Sequence, residues 1–200
     1  MSGLVRLSGD VPRWRAQPGV PLAALAAAGL RQFAGQPGAM TLAEWLAAPA
    51  RWRAGQCADS GVLAVEAMLA DGIEETLGPF GEADIQPLRS VTVQRLVPAL
   101  FQLASGGDAF ATRDGERWLG RYRLDALKPE APATVNLAHL LLGHGGTLAW
   151  VQSVTLAGAA PAPQLAAAAE PPGLATTRLD SRVKALFDPD GRFPLFRKME

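Results

Sequence analysis

Two hundred residues, 48% of them hydrophobic, describe one folded domain, or one domain with an appendage, and exclude a disordered chain. Nineteen basic and 19 acidic residues give a formal net charge of zero, so there is no electrostatic case for nucleic acid or an anionic membrane as the main partner. The single cysteine, Cys57, excludes an internal disulfide framework and a cysteine-built zinc site. The opening "MSGLVRLSGD" has no basic segment followed by an apolar one, and no run of about 18 apolar residues occurs. The chain is therefore expected to be cytoplasmic, with no membrane insertion and no nucleic-acid partner.

In chain order, "LVRLSGDVPRWRAQPGV" predicts a hairpin of two short strands around Gly9-Asp10. In "RWRAQ" a strand places Arg13 and Arg15 on one face and Trp14 on the other, an exposed arginine face over a buried tryptophan. "RWRAG" at residues 51–55 has the same alternation. "PLAALAAAGLRQF" carries Pro21 in a first turn and Leu22, Leu25 and Leu30 at near-helical spacing. "QPGAM" is a turn. "TLAEWLAA" then begins with Thr41 as N-cap and Glu44 three residues on, a capping box, and Pro49 ends it.

"GVLAVEAMLADGIEETLG" is the clearest β signal, two strands joined by Asp71-Gly72. "SVTVQRLVPALFQLAS" alternates as a further strand, with Pro98 confining it to an edge, bulge or break. "DAFATRDGERWLGRYRL" predicts a second hairpin through Asp114-Gly115. "APATVNLAHLLLGHGG" reads as a helix ending at Gly143, and "TLAWVQSVTLAG" as a strand. The domain reading is an α+β core over residues 1–158, an Ala/Pro-rich loop or linker over 159–175, and a helix and tail over 176–200 that pack on the core. The fold class is α+β, an antiparallel sheet built from hairpins with helices packed on it.

Local catalytic motifs are missing: no G-x-G-x-x-G, P-loop, G-x-S-x-G or H-E-x-x-H is present. His139 and His144, five apart, sit about 140° apart on a helix and do not share a face as two metal ligands would. His139 reads as a partly buried helix residue and His144 as a mark of the helix end. "GHGGT" is a poor phosphate loop because it follows a helix, whose end carries the wrong partial charge. Glu74 and Glu75 face opposite ways in a strand, so no catalytic carboxylate pair is named, and no metal site is expected. The five tryptophans read as core and interface anchors.

Several stretches, in order, resemble the FAD-linked oxidases of the vanillyl-alcohol-oxidase type, nearest to the FAD-binding subunit of bacterial glycolate oxidase. They are "WRAQPGVPLAALAAAGLRQFAGQPG", "AMTLAEWLAAP", "GQCADSGVLAVEAMLADGIEETLGPFGE", "WLGRYRL", "LLLGHGGTLAWVQS" and "RVKALFDPDGRFPLF". The last resembles that family's terminal K-x-x-F-D-P-x-G-x-x-N-P-G-R. The resemblance implies the second lobe and cap of such an oxidase, without the lobe whose glycine-rich loop holds the FAD diphosphate. Ala43-Glu44 stands where the family has Gly-Gly, adding bulk and negative charge beside a diphosphate. "LRSVTVQRLV" stands where the family has a glycine-rich segment, and Pro194-Leu195-Phe196 stands for Asn-Pro-Gly.

The resemblance therefore implies a truncated oxidase-like protein, non-catalytic alone, acting as an accessory or partner-binding subunit related to glycolate or D-lactate oxidases. No cofactor is expected for the isolated chain, and FAD if the family function is retained. One alternative is a working flavin-dependent oxidoreductase subunit that shares its site with another chain. Another is a stand-alone module binding a small ligand or protein. Any remaining flavin contact is expected at Gln36, Pro37, Gly38, Ala39 and Met40, at Val62 and Val65, and at Arg192 and Arg197. The catalytic residues are not identified, and the expected partner is another protein or a second copy.

Overall fold

The computed structural model describes residues 3–49, 52–81, 90–158 and 173–195. Strand β1 (Leu4–Leu7) turns back into β2 (Arg13–Ala16), as the Gly9-Asp10 signal requires. Helix α1 (Leu22–Ala27) starts at Pro21 and ends where Gly29 takes a φ of 91°. There the Gly29 amide donates to the Ala26 carbonyl and the Leu30 amide to Leu25, so the last carbonyls of this short helix are satisfied. Helix α2 (Leu42–Ala47) opens with the predicted capping box: the Thr41 hydroxyl accepts from the Glu44 amide at 3.2 Å, and the Glu44 carboxylate accepts from the Thr41 amide at 2.7 Å.

Strands β3 (Val62–Met68) and β4 (Glu74–Leu77) form the Asp71-Gly72 hairpin, with Gly72 at φ 84°. Helices α3 (Val91–Ala104) and α4 (Gly107–Thr112) follow, then a two-residue hairpin, β5 (Arg113–Asp114) and β6 (Arg117–Trp118). Strand β7 (Trp150–Ala157) and helix α5 (Leu174–Phe187) complete the chain.

Three segments differ from the sequence reading. Residues 91–104 are a helix, not a strand. Ser90 caps it by accepting from the Val93 amide, and Val93, Leu96, Val97, Leu100, Leu103 and Ala104 form one buried stripe. That spacing fits a 3.6-residue period and overrides the local alternation of "SVTV". Pro98 falls on the solvent side, where its ring disturbs no packing contact. Residues 107–112, expected within a hairpin, are also helical, while only a single short 3₁₀ turn forms in the predicted helix around His139 (Leu137–Leu141). Gly143, Gly145 and Gly146 all have positive φ and lead the chain away from that turn.

The five-stranded sheet is antiparallel, in the order β1-β2-β7-β3-β4, and the fold is α+β as expected. The register puts Ala16, Val154, Val65 and Leu77 in one row, and all four are buried. This inner face joins buried residues of α1, α2, α3 and α5 in one core. Leu179, Val183 and Phe187 of α5 belong to it, and the helix starts at Leu174. Most of the predicted 159–175 linker lies outside the described residues.

Candidate functional site

The outer face of the sheet carries Val5, Arg13, Arg15, Ala64, Glu66, Met68, Glu74, Ser153, Thr155 and Trp150. Its apolar members Val5, Leu7, Ala64, Met68, Trp150 and Ala157 lie outside the core; Val5 and Trp150 are exposed and the others half-buried. Trp150 is 64% exposed and Val5 58%. Trp45, Trp52 and Trp118 are buried and Trp14 packs against the core, so Trp150 stands apart from the other four tryptophans.

A β-bulge puts Trp150 there. Glu66 pairs with Ser153, but its neighbour Ala67 pairs with Val151, so Gln152 is the extra residue on β7. Strict alternation from Leu156 and Val154 would point Trp150 inward; the bulge shifts the parity by one and turns it out. A second bulge, at Leu63 on β3, is clamped from the helical side. The Asn136 amide donates to the Leu63 carbonyl at 2.9 Å, and His139 Nε2 donates to the Val62 carbonyl at 2.9 Å.

Charge on this face is arranged in order. At its centre Arg15 Nε donates to Ser153 Oγ at 3.1 Å, Ser153 Oγ donates to Glu66 at 2.9 Å, and the Arg15 guanidinium pairs with Glu66 directly. Arg13 stands exposed on β2. Glu74 stands exposed on β4, where it accepts from Gln152 at 2.6 Å.

The remaining polar clusters hold loops together. Arg123, 1% exposed, makes a two-pronged pair with Asp125 (2.9 and 2.6 Å) and donates to the carbonyls of Trp52 and Arg53. Asp125 also accepts from the Gly55 amide at 2.9 Å. Residues 52–55 are thus pinned as a loop and not a strand, with Trp52 buried and Arg53 paired to Glu116. Burial, reinforced by Asp125, pushes the Cys57 thiol upward, so it is protonated and not a nucleophile.

Lys184 and Asp188 form a second knot. Lys184 Nζ donates to the Thr147 and Phe193 carbonyls and pairs with Asp188, which accepts from the amides of Arg192 (2.7 Å) and Phe193 (2.9 Å). The K-x-x-F-D-P part of the closing motif is therefore the clasp of a helix end. Burial drives both His139 and His144 down to about 4, the latter helped by the Arg121 charge, so both imidazoles are neutral near pH 7. His144 Nδ1 is buried without a partner. Among the described residues no group of three or more His, Cys, Asp or Glu is placed to hold a metal. A half-open cleft of about 280 Å³ lies beside Gly55, Gln56, Asp59 and Glu130, where Glu130 is engaged by Arg113 and Gln56.

The residues proposed from sequence to meet a flavin lie on separate elements. Gln36, Pro37, Gly38, Ala39 and Met40 form a turn zipped to the start of α1, with the Leu22 amide on the Met40 carbonyl and the Ala23 amide on Gly38. Val62 and Val65 point into the core. Arg192 is exposed in the C-terminal turn beside Asp190, and Arg197 lies outside the described residues. The 36–40 turn precedes α2. The C-terminal turn meets the 143–147 loop, which is bonded to the far end of α2 through the Gly143 and Gly145 amides. Glu44, where a diphosphate would approach, has its carboxylate held by the Thr41 amide and hydroxyl, which keep it below the usual range.

No protein-family model matches the chain, and no curated protein is similar to it in sequence. Sequence reasoning flagged the tryptophans as anchors but did not single out Trp150. The only signal was Gln152 interrupting the apolar inner row of β7, which is where the bulge falls. No helix among the described residues is long and apolar enough to cross a membrane.

Proposed function

We propose that this chain is a FAD-linked-oxidase-like protein that is not catalytic alone and serves as an accessory, partner-binding subunit of an assembly related to the 2-hydroxy-acid oxidases. The observation that carries this reading is the outer face of the five-stranded sheet, where a bulge turns Trp150 out and leaves it exposed among the described residues. An exposed tryptophan beside the apolar Met68 on a sheet face has the composition of a protein contact.

The other polar groups support the same reading from the opposite side. Arg123, Asp125, Lys184 and Asp188 are engaged in holding loops, both histidines are neutral, and the one thiol is protonated. What the resemblance retains is structural: the Thr41–Glu44 helix start, the Asp71-Gly72 hairpin and the Lys184–Asp188 helix end. The positions at which a flavin would be met are occupied by Glu44, Pro194 and Leu195.

The test has two arms. The full chain is incubated with FAD and desalted, and its visible absorbance is recorded. A tagged chain is then captured from the cells that make it, alongside Trp150→Glu. The expected results are a colourless protein and a partner held by the wild type but released by the variant. A retained flavin band, or the same protein held equally by both chains, contradicts the proposal.

A further inference from the structure

The register of the sheet says more about what fits its open face. Arg13 on β2 pairs with Ala157, at one end of β7, while Glu74 on β4 pairs with Met68, which pairs with Trp150 at the other end. Since β2 and β4 lie on opposite sides of β7, Arg13 and Glu74 occupy diagonally opposite corners. Arg15 and Glu66 repeat the pattern nearer the centre, positive on the β2 side and negative on the β3 side. Among the described residues Arg13 forms no ion pair.

Such a face is complementary to itself. A two-fold axis parallel to the sheet, running along the other diagonal, exchanges the charged corners and lays Arg13 of each copy over Glu74 of the other. It also brings Arg15 over Glu66. Strands lie about 4.8 Å apart and rise about 3.4 Å per residue. On that grid the same operation carries Trp150, at the lower end of the central strand, onto Val5 at the outer strand. The two most exposed apolar side chains of the face then cover each other. An axis along a diagonal crosses the strands of the two sheets near a right angle, one of the two favoured sheet-on-sheet arrangements. Two-fold pairs are the commonest oligomers of soluble chains.

We propose that the outer sheet face is an isologous homodimer interface, in which Trp150 of each copy packs on Val5 of the other and Arg13 pairs with Glu74. This rests on the partner-binding reading and names the partner as a second copy of this chain. At those spacings the 27 residues of the five strands cover a footprint of roughly 440 Å² on each copy. A standard stable interface covers about 800 Å² per partner, so the pair is a reversible one whose dissociation is visible on dilution.

Sedimentation of the full chain over a concentration series tests this, with Arg13→Glu, Glu74→Arg, the double variant and Trp150→Glu. Thermal melts of each variant check that these exposed positions leave folding intact. The wild type is expected to move from monomer to dimer with concentration. Each single charge reversal weakens dimerisation about tenfold by facing like charges, and the double reversal restores it. Trp150→Glu remains monomeric. A wild type that stays monomeric at its highest soluble concentration overturns the proposal, as does a dimer indifferent to all four variants. If the wild type is monomeric yet Trp150→Glu releases a different protein, the accessory reading survives and the second copy fails as the occupant. If the swap-sensitive dimer forms and no other protein is ever held, the dimer stands and the accessory reading fails.

Discussion

Acidification from pH 7 to pH 5 destabilises the fold through its two histidines. Each ordinarily titrates near 6.5 and is driven by burial to about 4 in the folded chain. Above 6.5 neither state is protonated and the histidines contribute no pH dependence. Between about 6.5 and 4 the unfolded chain takes up protons that the folded chain refuses, so stability falls as pH falls, and below 4 the loss stops growing. At 1.36 kcal/mol per pKa unit the full loss is about 3 kcal/mol per histidine, and by pH 5 it is about 2 kcal/mol each.

Two such losses, about 4 kcal/mol together, are a large part of a typical stability of 5–15 kcal/mol. Asp59 and Asp180, raised by burial, push the other way, because their folded forms regain stability as pH falls. His144→Leu isolates one histidine, since its buried Nδ1 has no hydrogen-bond partner to strand. Urea unfolding followed by fluorescence at both pH values is the assay. The variant should lose about 2 kcal/mol less than the wild type between pH 7 and 5. Parallel losses in the two proteins would refute the assignment of His144 as a buried neutral group.

Asp125→Ala leaves the Arg123 guanidinium buried without its carboxylate and should cost about 3–5 kcal/mol in denaturant unfolding, whereas the apolar double replacement Arg123→Met with Asp125→Leu should cost much less. Thr41→Ala removes the N-cap of α2 and should lower stability by about 1 kcal/mol, read in the same assay. Trp150→Ser should change the stability of the monomer by no more than about 0.5 kcal/mol, measured at high dilution, because its ring lies outside the core. A larger loss would place Trp150 in the packing and remove it from the surface.

The hairpins, the capping box at Thr41 and the closing helix were legible in the sequence because each is specified by residues a few positions apart. Asp71-Gly72 and Thr41 with Glu44 carry their partners locally. Residues 91–104 were misread because "SVTV" shows a strand period, while the helical stripe from Val93 to Ala104 emerges only over the longer window. The short turn at Leu137–Leu141 fell short of the helix its leucines suggest, because Asn136 and His139 spend their side chains on the bulge carbonyls of β3. Those contacts span more than seventy residues and leave no local trace. The Arg123–Asp125 pair is close in sequence, yet its burial depends on the 52–57 loop folding over it. Trp150 was hidden for the same kind of reason, since its direction is set by a bulge that only the pairing with Glu66 and Ala67 defines.

The proposed role rests on the outer sheet face as the surface that meets the partner. A photo-crosslinking amino acid placed at Val5 on that face, and separately at exposed Arg95 on α3, would test it in the cells that make the protein. A discrete crosslinked product is expected from position 5, abolished by Trp150→Glu, and none from position 95. Crosslinks from position 95 with none from position 5 would contradict it.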